Sequence, residues 1–146
     1  AKITIVGLPD QPGVAAGVFG ALADNHVNVD MIVQSASSAV KKTDISFSVS
    51  RGDLDKAVDI INKIKDNLEF ESVDAAPNVA KISVVGMAMR TQPGVAKTMF
   101  ETLAAKGVNL HVISTSEIKI SVLIDAEYTE LAVRSLHTAY GLDDET

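Results

Sequence analysis

Two stretches decide how the chain folds. AKITIVG at residues 1–7 returns as AKISVVG at 80–86 with five of seven positions identical, and QPGVAAGVFGALADNHVNV at 11–29 returns as QPGVAKTMFETLAAKGVNL at 92–110 with ten of nineteen. Unrelated sequences of average composition share roughly one or two positions over the longer stretch. A duplication of this quality governs the whole fold, because each copy must build the same unit. The offset between copies is 79 at the first strand, 81 at the Pro-Gly and 75 at a later strand, so insertions and deletions fall between elements. The copies are expected to occupy residues 1–79 and 80–146.

Within each copy the order of signals is the same. Ile3 to Gly7 is a short β-rich run, followed by Asp10-Gln11-Pro12-Gly13, a turn that places Pro where the first helical residue is expected. Val14, Val18 and Leu22, and again Val95, Met99 and Leu103, recur at helical spacing. Residues 27–33 alternate as a strand and pair as a hairpin with a second run through Ile45, Phe47 and Val49. Leu54, Ala57, Val58, Ile61, Ile64 and Leu68 then form one apolar helical stripe, and Phe70 to Ala75 returns as a fourth strand. The order strand, helix, strand, strand, helix, strand is the ferredoxin-like one. The fold class expected is therefore α+β: two ferredoxin-like βαββαβ domains in tandem, each an antiparallel sheet with two helices on one face. After the second copy's last helix, near Tyr128 to Tyr140, only GLDDET remains. The second copy thus lacks its last strand, and a strand and more are expected upstream of Ala1.

Composition removes several classes of function. The 146 residues carry 19 acidic and 13 basic side chains, a formal charge of −6, which leaves no surplus of cations to displace the counterions of a nucleic acid. Aromatics at 4% offer little for base stacking. With no Cys there is no disulfide scaffold, thiolate metal site or thiol nucleophile, and a reducing, cytoplasmic setting is expected. The longest run of small or apolar residues, Gly13 to Ala23, is 11 long against roughly 20 for a bilayer span, so no membrane association is expected. The opening Ala-Lys-Ile shows no basic-then-apolar leader and reads as a processed product or a fragment.

Candidate chemistry concentrates at the Pro-Gly turn. His26, His111 and His137 lack metal-ligand spacing and read as surface or packing residues, GVAAGVFG fits no nucleotide-binding glycine motif, and Met87 and Met89 read as core filling. No set of residues converges as nucleophile and base, and no catalytic residue is named. The free donors at the first helix start are those of Gly13, Val14 and Ala15, a position that attracts a carboxylate. Asp10 beside it either meets an ammonium group or caps the helix. Asn28 and Asn109 hold matching places where a plain strand prefers β-branched residues.

Taken together, PDQPGVAAGVF, MRTQPGVAKTMF, VNVDMIVQ, VNLHVISTSEIKISVLID and LAVRSLHTAYGL resemble the regulatory part of aspartate kinase, a tandem pair of ACT domains. The resemblance covers essentially the whole chain, with ISTSEIKISVL its most discriminating run. It implies a parent protein that phosphorylates the side-chain carboxylate of aspartate, using ATP and Mg, on the way to lysine, threonine and methionine. The kinase half, with its Lys-Phe-Gly-Gly start, has no counterpart in these residues. The chain itself would be no enzyme and hold no cofactor. It would be the inhibitor-sensing piece or a separate small subunit, partnered with a kinase domain or catalytic subunit.

The resemblance further implies a homodimer in which threonine, lysine or both lie between the first copy of one chain and the second copy of its partner. Asp10, Gln11, Pro12, Gly13, Val14 and Ala15 would hold the ligand's carboxylate and, through Asp10, its ammonium. Gln34 would reach its side chain, with Asn28 and Asp30 nearby. From the partner copy, Asn109 and Leu110 would make amide contacts, and Ser116 and Glu117 would border the site. Thr91 stands where Asp10 stands, so the two turns should differ in affinity or ligand. The strand preceding the first copy would complete the second. The alternative is an assembly module that dimerises and binds no metabolite.

Overall fold

The alternation of Ile3 and Ile5 on one side with Lys2 and Thr4 on the other builds a strand with one buried face, and every neighbouring element is placed by that face. The computed structural model describes residues 1–11, 13–37, 41–85, 94–116 and 119–140. The chain divides into two compact units, Ala1–Pro77 and Asn78–Thr146.

In the first unit the elements are β1 (Lys2–Pro9), α1 (Val14–Asp24), β2 (Asp30–Ser37), β3 (Lys42–Ser48), α2 (Leu54–Lys63), α3 (Lys65–Leu68) and β4 (Ser72–Ala76). The strands form one antiparallel sheet in the order β2-β3-β1-β4. Ile3, Ile5, Leu8, Ile45 and Phe47 of the sheet meet Val18 and Leu22 of α1 and Ala57, Ile60 and Ile61 of α2 in one buried cluster. Phe19 adds an edge-on ring contact to Phe47, with centroids 5.4 Å apart. On the other face, Thr4 and Ser46 pair through their hydroxyls at 2.9 Å.

Three details differ from the sequence reading, each for a local reason. The first helix starts at Val14, two residues later than read, with Gly13 as its N-cap; Pro12 lies outside the described residues. The strand read from residue 27 begins at Asp30, because Val27 and its neighbours are spent ending the helix and a bulge at Met31 (φ 31°) resets the pairing. The single stripe of 54–68 is two helices: the backbone at Ile64 (φ −96°, ψ 2°) leaves the α region. The Leu68 amide still bonds the Ile64 carbonyl at 3.1 Å, which keeps Ile64 and Leu68 against the core.

The second unit contains β5 (Val79–Val85), α4 (Gly94–Ala105), β6 (Val112–Thr115), β7 (Lys119–Asp125) and α5 (Thr129–Ala139), with sheet order β5-β7-β6. That is the order of β1, β3 and β2, so the units share one topology. Ile82, Met99, Leu103, Ile120, Val122, Ile124 and Leu136 fill the core. Ser83 and Ser121 repeat the hydroxyl pair of Thr4 and Ser46 at 2.8 Å. Among the described residues no fourth strand borders β5, whereas β4 borders β1. The expected architecture, two ferredoxin-like units with the second short of its last strand, is the one observed.

Both helices that follow a turn end alike. His26 (φ 63°) and Gly107 (φ 72°) adopt the left-handed conformation just past α1 and α4. Their amides bond Ala23 and Ala104 carbonyls at 3.0 Å, while Val27 and Val108 reach back to Leu22 and Leu103 at 2.9 and 3.0 Å. This doubled bond pattern with its apolar contact is a Schellman motif. It explains His26 as a helix terminator, in line with the surface reading of that histidine.

Candidate functional site

β1 does not run straight into the turn. Its pairing with β3 slips between Ile5 and Leu8, and Gly7 at the slip has φ 75°. A bulge with glycine in that region inserts one extra residue and changes which side the following residues face. Leu8 is consequently fully buried, on the same side as Ile3 and Ile5. Past Pro9 the Asp10 amide bonds the Lys41 carbonyl at 2.9 Å and the Gln11 amide bonds the Pro9 carbonyl at 3.0 Å. Lys41 is thus a backbone anchor of the turn that the sequence reading missed, since a main-chain acceptor leaves no trace in side-chain pattern.

Gly13 (φ 89°, ψ −13°) closes the turn and caps α1 with no side-chain hydrogen bond and no acidic residue in the first helical turn. The Val14 amide keeps a long 3.4 Å contact to the Gln11 carbonyl. The opening amides of a helix have no intrahelical acceptor, so this end presents partial positive charge to whatever lies in front of it. Asp10 and Gln11 are exposed beside it. No side chain caps α1, so Asp10 is no N-cap, which removes one of its two readings. The turn therefore sets the uncapped start of α1 beside an exposed carboxylate.

Gln34 lies on β2 opposite Ile45, which itself lies opposite Ile5. Directly opposed residues share a face, so Gln34 belongs to the helix side of the sheet, in the half of β2 nearer the turn. It is exposed, as befits an edge strand. Asp30 lies four residues back, at most about 14 Å along an extended chain, and Asn28 precedes it. The Asp30 carboxylate accepts the Met31 amide at 3.0 Å and so stabilises the bulge. Asn28 instead borders a groove of about 530 Å³ with Phe19, Ala23, His26, Val29 and Ile32 at the far end of α1. The register thus puts the Asp10 turn and the Ser37 end of β2 toward one edge of the sheet and Asp30 toward the other, with Gln34 between them.

The second unit separates its candidates in the same manner. Asn109 is exposed and Leu110 half-buried against the core just before β6, whereas Ser116 follows β6 and bonds the Lys119 carbonyl through its amide at 2.8 Å. Glu117, Thr91, Met87 and Met89 lie outside the described residues. His111 sits at the mouth of β6 and pairs with Asp125 at 2.8 Å, and His137 is exposed on α5. Among the described residues no group of three or more His, Asp or Glu side chains is arranged to hold a metal ion. None of their helices is long and apolar enough to cross a membrane.

A profile of the ACT domain family matches residues 3–64 and 82–140, one match in each unit. The aspartokinase of Pseudomonas aeruginosa is 47% identical over 98% of this chain, which spans 34% of that protein's length. A solved structure described as aspartokinase alpha and beta subunits superposes with a TM-score of 0.88 at 46% identity, covering 96% of this chain and 91% of that one. The ligand-free regulatory subunit of aspartate kinase from Thermus thermophilus follows with a TM-score of 0.87 at 37% identity, covering 95% and 91%. The chain belongs to the ACT domain family, as the tandem-ACT regulatory region or small regulatory subunit of an aspartate kinase.

Proposed function

We propose that the chain senses an amino-acid end product, threonine, lysine or both, and transmits its binding to a kinase domain or catalytic subunit as feedback inhibition. The observation that carries this reading is the turn at Asp10–Ala15: an uncapped helix start beside an exposed carboxylate is complementary to an α-amino acid zwitterion. The kinase step, phosphorylation of aspartate by ATP with Mg, belongs to the parent enzyme, and its cofactors have their place there. The absence of Cys agrees with a cytoplasmic setting.

The second half of the site comes from a partner chain. β2 and β6 are edge strands, and each carries an exposed isoleucine at the same repeat position, Ile32 and Ile113. Edge strands with unpaired backbone and exposed apolar side chains favour pairing. If β2 lies antiparallel to the partner's β6, the Gln34 end meets the segment before β6, which brings Asn109 and Leu110 to the Asp10 turn. The same pairing sends Asn28 and Asp30 toward Ser116 and Glu117, at a second and weaker site served by the Thr91 turn. A ligand bound there shifts the dimer between arrangements only by its differential affinity for them.

A thermal-shift screen of the common amino acids tests the reading. Threonine or lysine at a hundredfold excess over its Kd should stabilise the chain by about 2.7 kcal/mol. The exposed isoleucines alone also suit an assembly module that binds no metabolite. A dimer by sedimentation with no shift from any amino acid would establish that reading in place of the first.

A further inference from the structure

The extra residue in β1 leaves the Gly7 amide without its place in the β1–β3 ladder, and the Asp44 carboxylate accepts that amide at 3.0 Å. From the other side the Glu71 amide bonds the Val6 carbonyl at 2.8 Å, and the Glu71 side chain lies so close over Gly7 that an added Cβ would stand 2.7 Å from its carbons. Glu71 is steadied by Lys42 at 3.1 Å, an exposed pair of small energetic weight. Two residues before Asp44, the chain enters β3 from Lys41, whose carbonyl holds the Asp10 amide. The bulge, its carboxylate acceptor and the ligand-facing turn therefore form one continuous bonded unit. In the second copy the counterpart of Asp44 is Lys119, opposite Val85, whose ammonium cannot accept a hydrogen bond; Gly86, the counterpart of Gly7, lies outside the described residues.

We propose that Asp44 is a positioning residue: by holding the Gly7 bulge it fixes the direction in which the Asp10–Ala15 turn leaves β1, and so sets the affinity of that turn for an amino acid. The proposal rests on the effector reading above for its consequence, and on the backbone geometry alone for its cause. By its chemistry Lys119 cannot supply this brace to the second turn, which also has Thr91 in place of Asp10.

The test compares Asp44→Ala and Asp44→Asn in the full chain, with amide hydrogen exchange of Gly7 and Asp10 by NMR and calorimetric titration of L-threonine and L-lysine. Asp44→Ala should speed exchange at both amides and weaken the amino acid that the parent binds by about tenfold, the order of one hydrogen bond to a charged group. Asp44→Asn keeps an oxygen acceptor and should restore both readouts. Unchanged Gly7 and Asp10 exchange in Asp44→Ala overturns the proposal, and so does a lowered melting temperature with unaltered affinity, the signature of a merely structural role. A parent chain that gives no heat with either amino acid overturns the effector reading instead, while the exchange rates still decide whether Asp44 aims the turn.

Discussion

The two units repeat one topology with nearly one core, yet the turns after their first strands differ in sequence. In the first, Asp10 supplies a carboxylate beside the helix start and Asp44 braces the strand that leads to it; at the same repeat positions the second has Thr91 and Lys119. The cores tolerate little change because each side chain fills a volume, so Leu22 and Leu103, both fully buried, persist at matching positions. Turns on the rim carry no such constraint. Duplication followed by divergence at rim positions gives two units of one topology whose turns differ in side-chain chemistry.

The strongest way to break this comparison is to strike the shared core. Leu22→Ala and Leu103→Ala should each destabilise their own unit by about 3 kcal/mol, within the range for buried leucines. Amide exchange resolved by residue would show the loss in the mutated unit, and markedly unequal losses would mean that the cores are less alike than their burial.

Next in size is the turn itself. Asp10→Ala should remove a charge-assisted contact of about 1.5 to 3 kcal/mol, roughly ten- to 150-fold in affinity, measured by calorimetry with threonine and lysine. The reciprocal change, Thr91→Asp, should raise the affinity of the weaker site. Unaltered binding in Asp10→Ala would remove Asp10 from the site.

The helix ends offer a smaller contrast. Gly107 takes a left-handed conformation at no steric cost and His26 takes the same one with a side chain. Gly107→Ala should therefore cost about 1 kcal/mol in thermal unfolding, and His26→Gly should be neutral or mildly stabilising. A large loss from His26→Gly would give that imidazole a role beyond ending the helix.

An effect of the same order concerns a clamp in the second unit. The Tyr140 hydroxyl donates to the Val95 carbonyl at 2.6 Å, tying the end of α5 to the first turn of α4, and burial raises its pKa above the ordinary tyrosine value. In the first unit the stripe of α2 and α3 is apolar throughout and has no such hydroxyl. Tyr140→Phe should cost about 1 kcal/mol at neutral pH. Because the folded pKa is raised, the contribution of Tyr140 is fully present below the unfolded value near 10 and is lost as pH rises through the folded one. The parent should thus lose stability above about pH 10 more steeply than Tyr140→Phe, and parallel curves would contradict the assignment.

Legible in the residues alone were the duplication, the element order and the two cores, together with the turn proposed here as the binding site, because periodicity of buried side chains and a Pro-Gly turn are local signals that survive without coordinates. His26 shows a limit of that reading: nothing in its identity announces a left-handed terminator until Gly107 is set beside it. The spacing between the candidates came only from the strand register. Asp30 opens β2 and Asn28 precedes it, both near Gln34 in sequence but set apart from it in space, since a strand spends about 3.3 Å per residue and separates neighbours that a helix would stack. The register slip at Gly7, the acceptor supplied by Asp44 from another strand and the Lys41 carbonyl under Asp10 were likewise invisible, because pairing between distant segments and main-chain hydrogen bonds leave no periodic mark in a sequence.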